Sequence, residues 1–355
     1  MVSVQAMRAI AALSVMLVHF SYIKLLLSGG SPNDPIPLYP FSSGVDLFFV
    51  ISGFVMVYSS EPLFGVAGSW RIFLMRRISR IVPLYWGATM IAIPIMSPPQ
   101  NLQTITQSLL FIPYRTGETF FPTHAGGWTL NFEMFFYCVF AMAIFLPRMV
   151  AVSIVTLILI SLVIVDRTLP ISFAPISYWS DPIVIEFIFG MATALLYKSG
   201  TRLAIVPRII LIVFGAAVIW FVQTLNGPVP TGDRWLLWGV PAALILSGSV
   251  LGDDLKIGWL AGPIKLLGDA SYALYLFHPM VGALIISYWS DGPFGIDGLK
   301  YTPMMNVLYF GACASIVLSL VLHLAFERRA QRFIRHLGLR AKRDVVQQPG
   351  LPLVL

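Results

Sequence analysis

Charge is what this sequence lacks. Only 11% of its 355 residues are Asp, Glu, Lys or Arg, where a soluble domain carries about 25%. So little charge cannot clothe a water-facing surface, and an ordinary soluble enzyme is excluded. Cysteine is scarce as well. Cys138 and Cys313 stand in separate apolar runs without CxxC spacing, which excludes a disulfide framework and a zinc ribbon. They read as filler facing lipid or core. No Gly-rich phosphate loop, heptad array, helix-turn-helix, internal repeat, low-complexity tract or second soluble domain is visible. The five histidines are scattered with no close pair along the chain, a poor basis for a metal site, and none is expected.

What the chain has is apolar length. Hydrophobic residues make up 57% of it, and the mean hydropathy is +0.83. Ten runs reach the length that spans a bilayer: 5–25, 44–60, 81–97, 128–147, 149–166, 182–198, 208–224, 235–251, 269–289 and 303–325. The expected fold is all-α, a polytopic integral membrane bundle of about ten transmembrane helices. The first run is not read as a cleaved signal peptide, because Arg8 and His19 interrupt it and no small-residue cleavage site follows. The longest loop, Ser97 to Gly127, contains apolar Leu109 to Ile112 and is read as able to dip back into the membrane.

The net charge of +7 admits a nucleic-acid reading, but the excess sits in short segments beside apolar runs. With the N-terminus in the cytoplasm and ten crossings, 18 of the 23 Lys and Arg residues fall on the inner side and five on the outer. A bias this steep follows the positive-inside rule, puts both termini in the cytoplasm and makes nucleic acid an unsuitable partner. Two units follow: a transmembrane domain over 3–326 and a basic cytoplasmic tail over 327–355 that meets anionic membrane lipids. The segment from Val345 onwards, with Pro349 and Pro352, reads as a flexible end.

Ionisable groups inside apolar runs are costly, and they face cavities or partners. Arg8 and His19 share the first run. Their offset of eleven is close to three helical turns, so both lie on one face, about 16 Å apart. The topology places His19 and Glu133 at one depth in the outer half, with Asp46 near that side. A carboxylate beside an imidazole fixes its tautomer and makes it a general base, so Glu133 is expected to orient His19. The competing reading of His19 is a polar residue satisfied by a neighbouring helix, and of Glu133 a structural ion pair or a neutral acid. Asp46 is more simply a cap on the second run. On the inner side, Arg76 reads as a topology residue, whereas Arg77 and Arg80 lie three apart on one helical face, a spacing suited to phosphate. In LGDASYALYLFHP, Asp269 or Ser271 reads as a helix cap, and His278 before Pro279 as a hydrogen-bonding group at a kink. His124, His323 and His336 fall in loops or at membrane ends and are not read as ligands.

Five stretches together resemble the membrane acyltransferase-3 family: Arg8 with ten residues to His19, GVDLFFVISGF (Gly44 to Phe54), RRISRIVPLYW (Arg76 to Trp86), GWTLNFEMFFY (Gly127 to Tyr137) and GDASYALYLFHP (Gly268 to Pro279). The fourth is most similar to bacterial exopolysaccharide O-acetyltransferases of the succinoglycan type. The resemblance implies acyl transfer, acetyl above all, from cytoplasmic acyl-CoA to a hydroxyl of a cell-surface or lipid-linked saccharide. It implies an inner-membrane location in a bacterium, with no bound cofactor and acetyl-CoA as co-substrate. His19 then matches the essential histidine, Arg8 its partner, Arg77 and Arg80 the acyl-CoA pair, and Glu133 the acidic position. Asp46, Ser52, Asn131, Tyr275 and His278 are the supporting candidates in the same stretches. The chain departs from many relatives in having Thr129 for Ser and a single acid, Glu133, followed by Met134. No hydrolase-like domain is fused, so a second transfer step is expected to need a separate polysaccharide-assembly protein. The rival class is a transporter or flippase for a lipid-linked sugar. Ten spans with buried titratable groups suit it too, though the inverted repeats of such carriers are not visible.

Overall fold

Over their described residues, the ten apolar runs fall mainly on helices. The computed structural model describes residues 1–330 and 332, except 32–33, 35, 37, 96–100, 117–118, 121, 170, 227–228, 230, 255–256 and 292–304. The helices are α1 (Val2–Leu27), α2 (Gly44–Ser59), α3 (Ser69–Ile95), α4 (Leu102–Leu109), α5 (Gly127–Ala143), α6 (Arg148–Thr168), α7 (Ala174–Trp179), α8 (Ile185–Lys198), α9 (Ile205–Asn226), α10 (Val240–Val250), α11 (Ala261–Asp291) and α12 (Met305–Leu322). A two-residue antiparallel ladder, Arg115–Thr116 with Thr119–Phe120, ties the loop before α5. Among the described residues, seven helical segments are long and apolar enough to cross a membrane: α1, α2 with the 3-10 turn before it (Tyr39–Ser59), α3, α6, α9, α11 and α12. The helices α5, α8 and the run Trp235–Val250, which opens with a π-helical turn, are shorter. The outer faces are apolar: α9 exposes Ile209, Val213, Phe214 and Phe221, each by more than half. A surface of that kind is matched by lipid and not by water. The chain is an all-α, multi-pass membrane protein.

Two helix pairs set the centre. One is α1 on α11, the other α2 on α8. The second pair is close because both helices offer glycine at the crossing. A Cβ on Gly53 would run into the backbone oxygen of Phe187, and one on Gly190 into that of Val50. Small residues let membrane helices approach backbone to backbone. The first pair runs in one direction: Gln5 meets Asp269 at one end and His19 meets His278 further along. Asp254 holds the start of α1, accepting from the backbone N–H groups of Val2 at 2.7 Å and Ser3 at 2.9 Å, two of the donors that a helix start leaves unpaired.

Several local expectations are corrected. Helix α3 begins at Ser69 and α11 at Ala261, each a few turns before the apolar run. Asp269 and Ser271 are therefore interior to α11 and cap nothing: Asp269 accepts from Gln5, and Ser271 donates to the carbonyl of Gly268. Asp46 makes no cap either. It forms a two-pronged ion pair with Arg234, 2.8 Å in each arm, and is fully buried. Arg234 also donates to the carbonyl of Ser42 and lies over the Trp238 ring. Leu109 to Ile112 closes α4 in a turn, with α4 held to α3 by Tyr85 on Ser108 and Trp86 on the Leu109 carbonyl. Both cysteines are free and exposed. Lys256, Lys300, His336 and most of the 327–355 tail lie outside the described residues.

Candidate active site

Helical spacing brings polar groups from five helices to one cavity enclosing about 780 Å³, part of it open to the outside. Phe48, Ser52 and Val55 recur along one face of α2, Thr129, Glu133 and Tyr137 along one face of α5, and Tyr272 and Tyr275 along α11. Arg8 enters from α1, and Arg77 and Arg80 enter together from α3. Three guanidinium groups thus share a single cavity.

None of the three has a carboxylate in ion-pair range among the described residues. Arg77 donates to the Ser59 hydroxyl at 2.6 Å and is flanked by the rings of Phe73 and Tyr137. Arg8 has a 3.4 Å contact to Gln5, whose amide nitrogen donates to Asp269 at 2.8 Å. Glu133, the one acid lining the cavity, accepts from Ser52 at 3.1 Å and from Tyr137. Three cations and one hydrogen-bonded carboxylate leave the cavity electropositive. Partly buried guanidinium groups with no carboxylate in ion-pair range among the described residues favour an anion, and their forked geometry suits phosphate.

Glu133 does not orient His19. The partner of His19 is His278, with Nδ1 of the first 2.6 Å from Nε2 of the second and the ring planes 18° apart. This pair also overturns the reading of five histidines without close partners. Its tautomer follows from the next bond. His278 Nδ1 lies 2.9 Å from the carbonyl of Leu274, which can only accept. His278 therefore carries its proton on Nδ1 and accepts at Nε2 from the Nδ1–H of His19. The lone pair of His19 is left on Nε2, the atom a general base uses. His278 is buried and His19 exposed, so the second imidazole fixes the orientation of the first. The expected bond at the kink is present, and it is what sets this arrangement.

The histidine pair stands just past the cavity. Tyr275 lines the cavity, and its ring centroid is 6.1 Å from that of His278. Of the other candidates, Ser52 and Tyr275 join Arg8, Arg77, Arg80 and Glu133 at the cavity, while Asp46 and Asn131 do not. Asn131 points away from Glu133 on α5 and borders a small second void with Tyr114, Phe120 and Tyr178. Tyr137, Tyr272 and Gln5 escaped the sequence reading. Their signal was helical offset: Tyr137 lies four residues from Glu133, and Gln5 three from Arg8.

His124 also has a definite place, in the turn before α5. Its Nε2 is 2.9 Å from the carbonyl of Leu276, and its Nδ1 accepts from the backbone N–H of Gly126 at 3.0 Å. Burial pushes it down to about 4. It fastens this turn to α11 beside Tyr275 as a neutral ring. No cluster of three or more metal-ligating side chains occurs among the described residues.

The family model described as an acyltransferase domain matches residues 1–324. The chain belongs to the membrane acyltransferase-3 family. It is 31% identical over 291 residues to the exopolysaccharide production protein ExoZ of Rhizobium meliloti (strain 1021), covering 78% of this chain and 88% of that protein. It is 25% identical over 313 residues to the acyltransferase MdmB of Streptomyces mycarofaciens, covering 79% of this chain and 78% of that protein. No solved structure is significantly similar. Membership decides between the two classes left open by the sequence: this member of the family is an acyltransferase, and the carrier reading falls away.

Proposed function

We propose that the protein transfers an acyl group, acetyl first among them, from acyl-CoA to a hydroxyl of a cell-surface or lipid-linked saccharide. The observation that carries this reading is the electropositive cavity leading to an oriented imidazole. Donor phosphates sit among Arg8, Arg77 and Arg80, and the thioester arm points along α2 towards His19. The Nε2 of His19 takes the proton of the acceptor hydroxyl as its oxygen attacks the thioester carbonyl. The C–S bond breaks, the new ester leaves with the saccharide, and the proton passes to the departing CoA sulfur. His278 holds His19 in the working tautomer. Glu133 keeps Ser52 and Tyr137 in place and tempers the field of the three arginines.

The same reading sets the protein in a bacterial inner membrane. It has ten crossings, with α5, α8 and Trp235–Val250 completing the seven longer helices, and both termini in the cytoplasm. The steep Lys and Arg asymmetry supports that orientation, and it places the arginine cavity on the side where acyl-CoA is made. The acceptor and a partner in polysaccharide assembly lie beyond, a reading supported by the exopolysaccharide role in the name of ExoZ. The test is mass spectrometry of surface polysaccharide from cells with and without the gene. Loss of an acetyl-sized mass increment from the saccharide is the expected result. Identical spectra would refute the saccharide acceptor.

A further inference from the structure

Between the arginines and the histidine pair stands a wall of two aromatic rings. Along α2 the cavity lining runs from Val45 to Met56, about 16 Å by helical rise. Arg77, bonded to Ser59, marks one end. Val45, Phe48, Thr129 and Tyr275 lie towards the other. The rings of Phe48 and Tyr275 meet edge to face with centroids 6.0 Å apart. His278 is one helical turn beyond Tyr275, and neither it nor His19 lines the cavity. The hydroxyls of Tyr275 and Thr129 are hydrogen-bonded at 2.9 Å, which anchors the Tyr275 ring to α5. Phe48 makes no polar bond. It packs between the main core and the smaller apolar cluster around Met16 and Phe20.

This inference rests on the proposed function. In an acyl-CoA the acyl group is at the far end of the arm from the phosphates. With the phosphates on the arginines, the acyl group is the part that arrives at Phe48 and Tyr275. We infer that these two residues gauge the acyl group and set donor specificity: the aromatic pair passes an acetyl-sized group to His19 and stops longer chains. Each added methylene must displace a ring that packing and the Thr129 bond hold in place. A steric limit of this kind discriminates by about 10-fold or more per methylene.

The test compares acetyl-CoA, propionyl-CoA and butyryl-CoA as donors for the purified full-length protein, with deacylated polysaccharide as acceptor. The readout is the ratio of kcat/KM for butyryl to that for acetyl. Phe48→Ala and the milder Phe48→Leu are expected to raise this ratio, by about 10-fold for the first. Tyr275→Phe and Thr129→Val, which cut the hydroxyl tie but keep the ring, are expected to raise it less and by equal amounts. An active Phe48 variant whose ratio equals that of the wild type overturns the proposal. So does loss of transfer from every donor in both Phe48 variants while acetyl-CoA still binds, since Phe48 would then belong to the chemistry and not to selection. A wild-type protein that releases no CoA from any donor would instead defeat the proposed function itself.

Discussion

At the scale of single residues, the site turns on which atom of His19 holds a proton. The carbonyl of Leu274 decides this from the neighbouring helix α11, through His278. His278→Ala is expected to leave donor binding unchanged and to lower kcat by about 10-fold or more, while His19→Ala lowers it by about 10²–10⁴. The acidic limb of the pH–rate profile should move in His278→Ala, an effect that simple loss of packing would not produce. His124 makes a separate prediction about stability. Its folded value of about 4 lies below the ordinary 6.5, so the unfolded chain binds the extra proton first. Stability from this group is complete above pH 6.5 and is lost as the pH falls towards 4, by about 3 kcal/mol in all. Thermal midpoints in detergent from pH 7 to pH 5 should therefore fall for the wild type and fall less steeply for His124→Asn. Nothing along the sequence pairs His19 with His278, which are 259 residues apart. A hydrogen bond between two neutral rings leaves no periodic trace, and matching a carboxylate by depth chose Glu133 instead.

At the scale of elements, apolar length made the longer helices of the bundle visible, missed the short α4 and α7, and misplaced two helix starts for a physical reason. Hydropathy marks the part of a helix that meets lipid, not the part that is helical. The turns that open α3 carry four arginines, and those of α11 before Asp269 hold Lys265, two glycines and a proline, which lower the hydropathy of turns that are helical all the same. The arginine pair was legible because it sits on one face of α3 whatever the packing. The role of Asp46 was not, because its partner Arg234 belongs to the entrance of the π-helical turn, remote in the chain. This pair joins the start of α2 to the segment before α10. Removing one partner breaks a buried ion pair, so Asp46→Leu or Arg234→Met is expected to cost about 3–5 kcal/mol. The double variant should cost clearly less than the two singles together. Thermal denaturation of the three purified variants checks this, and strict additivity would show that the two side chains act independently.

At the scale of the whole molecule, the fold sets two tiers of polar groups joined through α1, α2 and α11. Cations gather at one level, the imidazole pair at the next, and an aromatic wall lies between them. Composition and the five matching stretches announced a membrane acyltransferase; only the fold shows that Arg8, Arg77 and Arg80 converge while Asn131 turns away. On the proposed function, donor binding and chemistry are separable. The most direct measurement is a titration of acetyl-CoA with the wild type, Arg77→Ala/Arg80→Ala and His19→Ala, recording donor affinity and turnover in each. The account predicts that the arginine variant raises the donor KM by about 10-fold or more, for two lost charge-assisted contacts, and that His19→Ala keeps donor affinity but loses turnover. An arginine variant that binds acetyl-CoA as tightly as the wild type, or a His19→Ala protein that turns over normally, would contradict it.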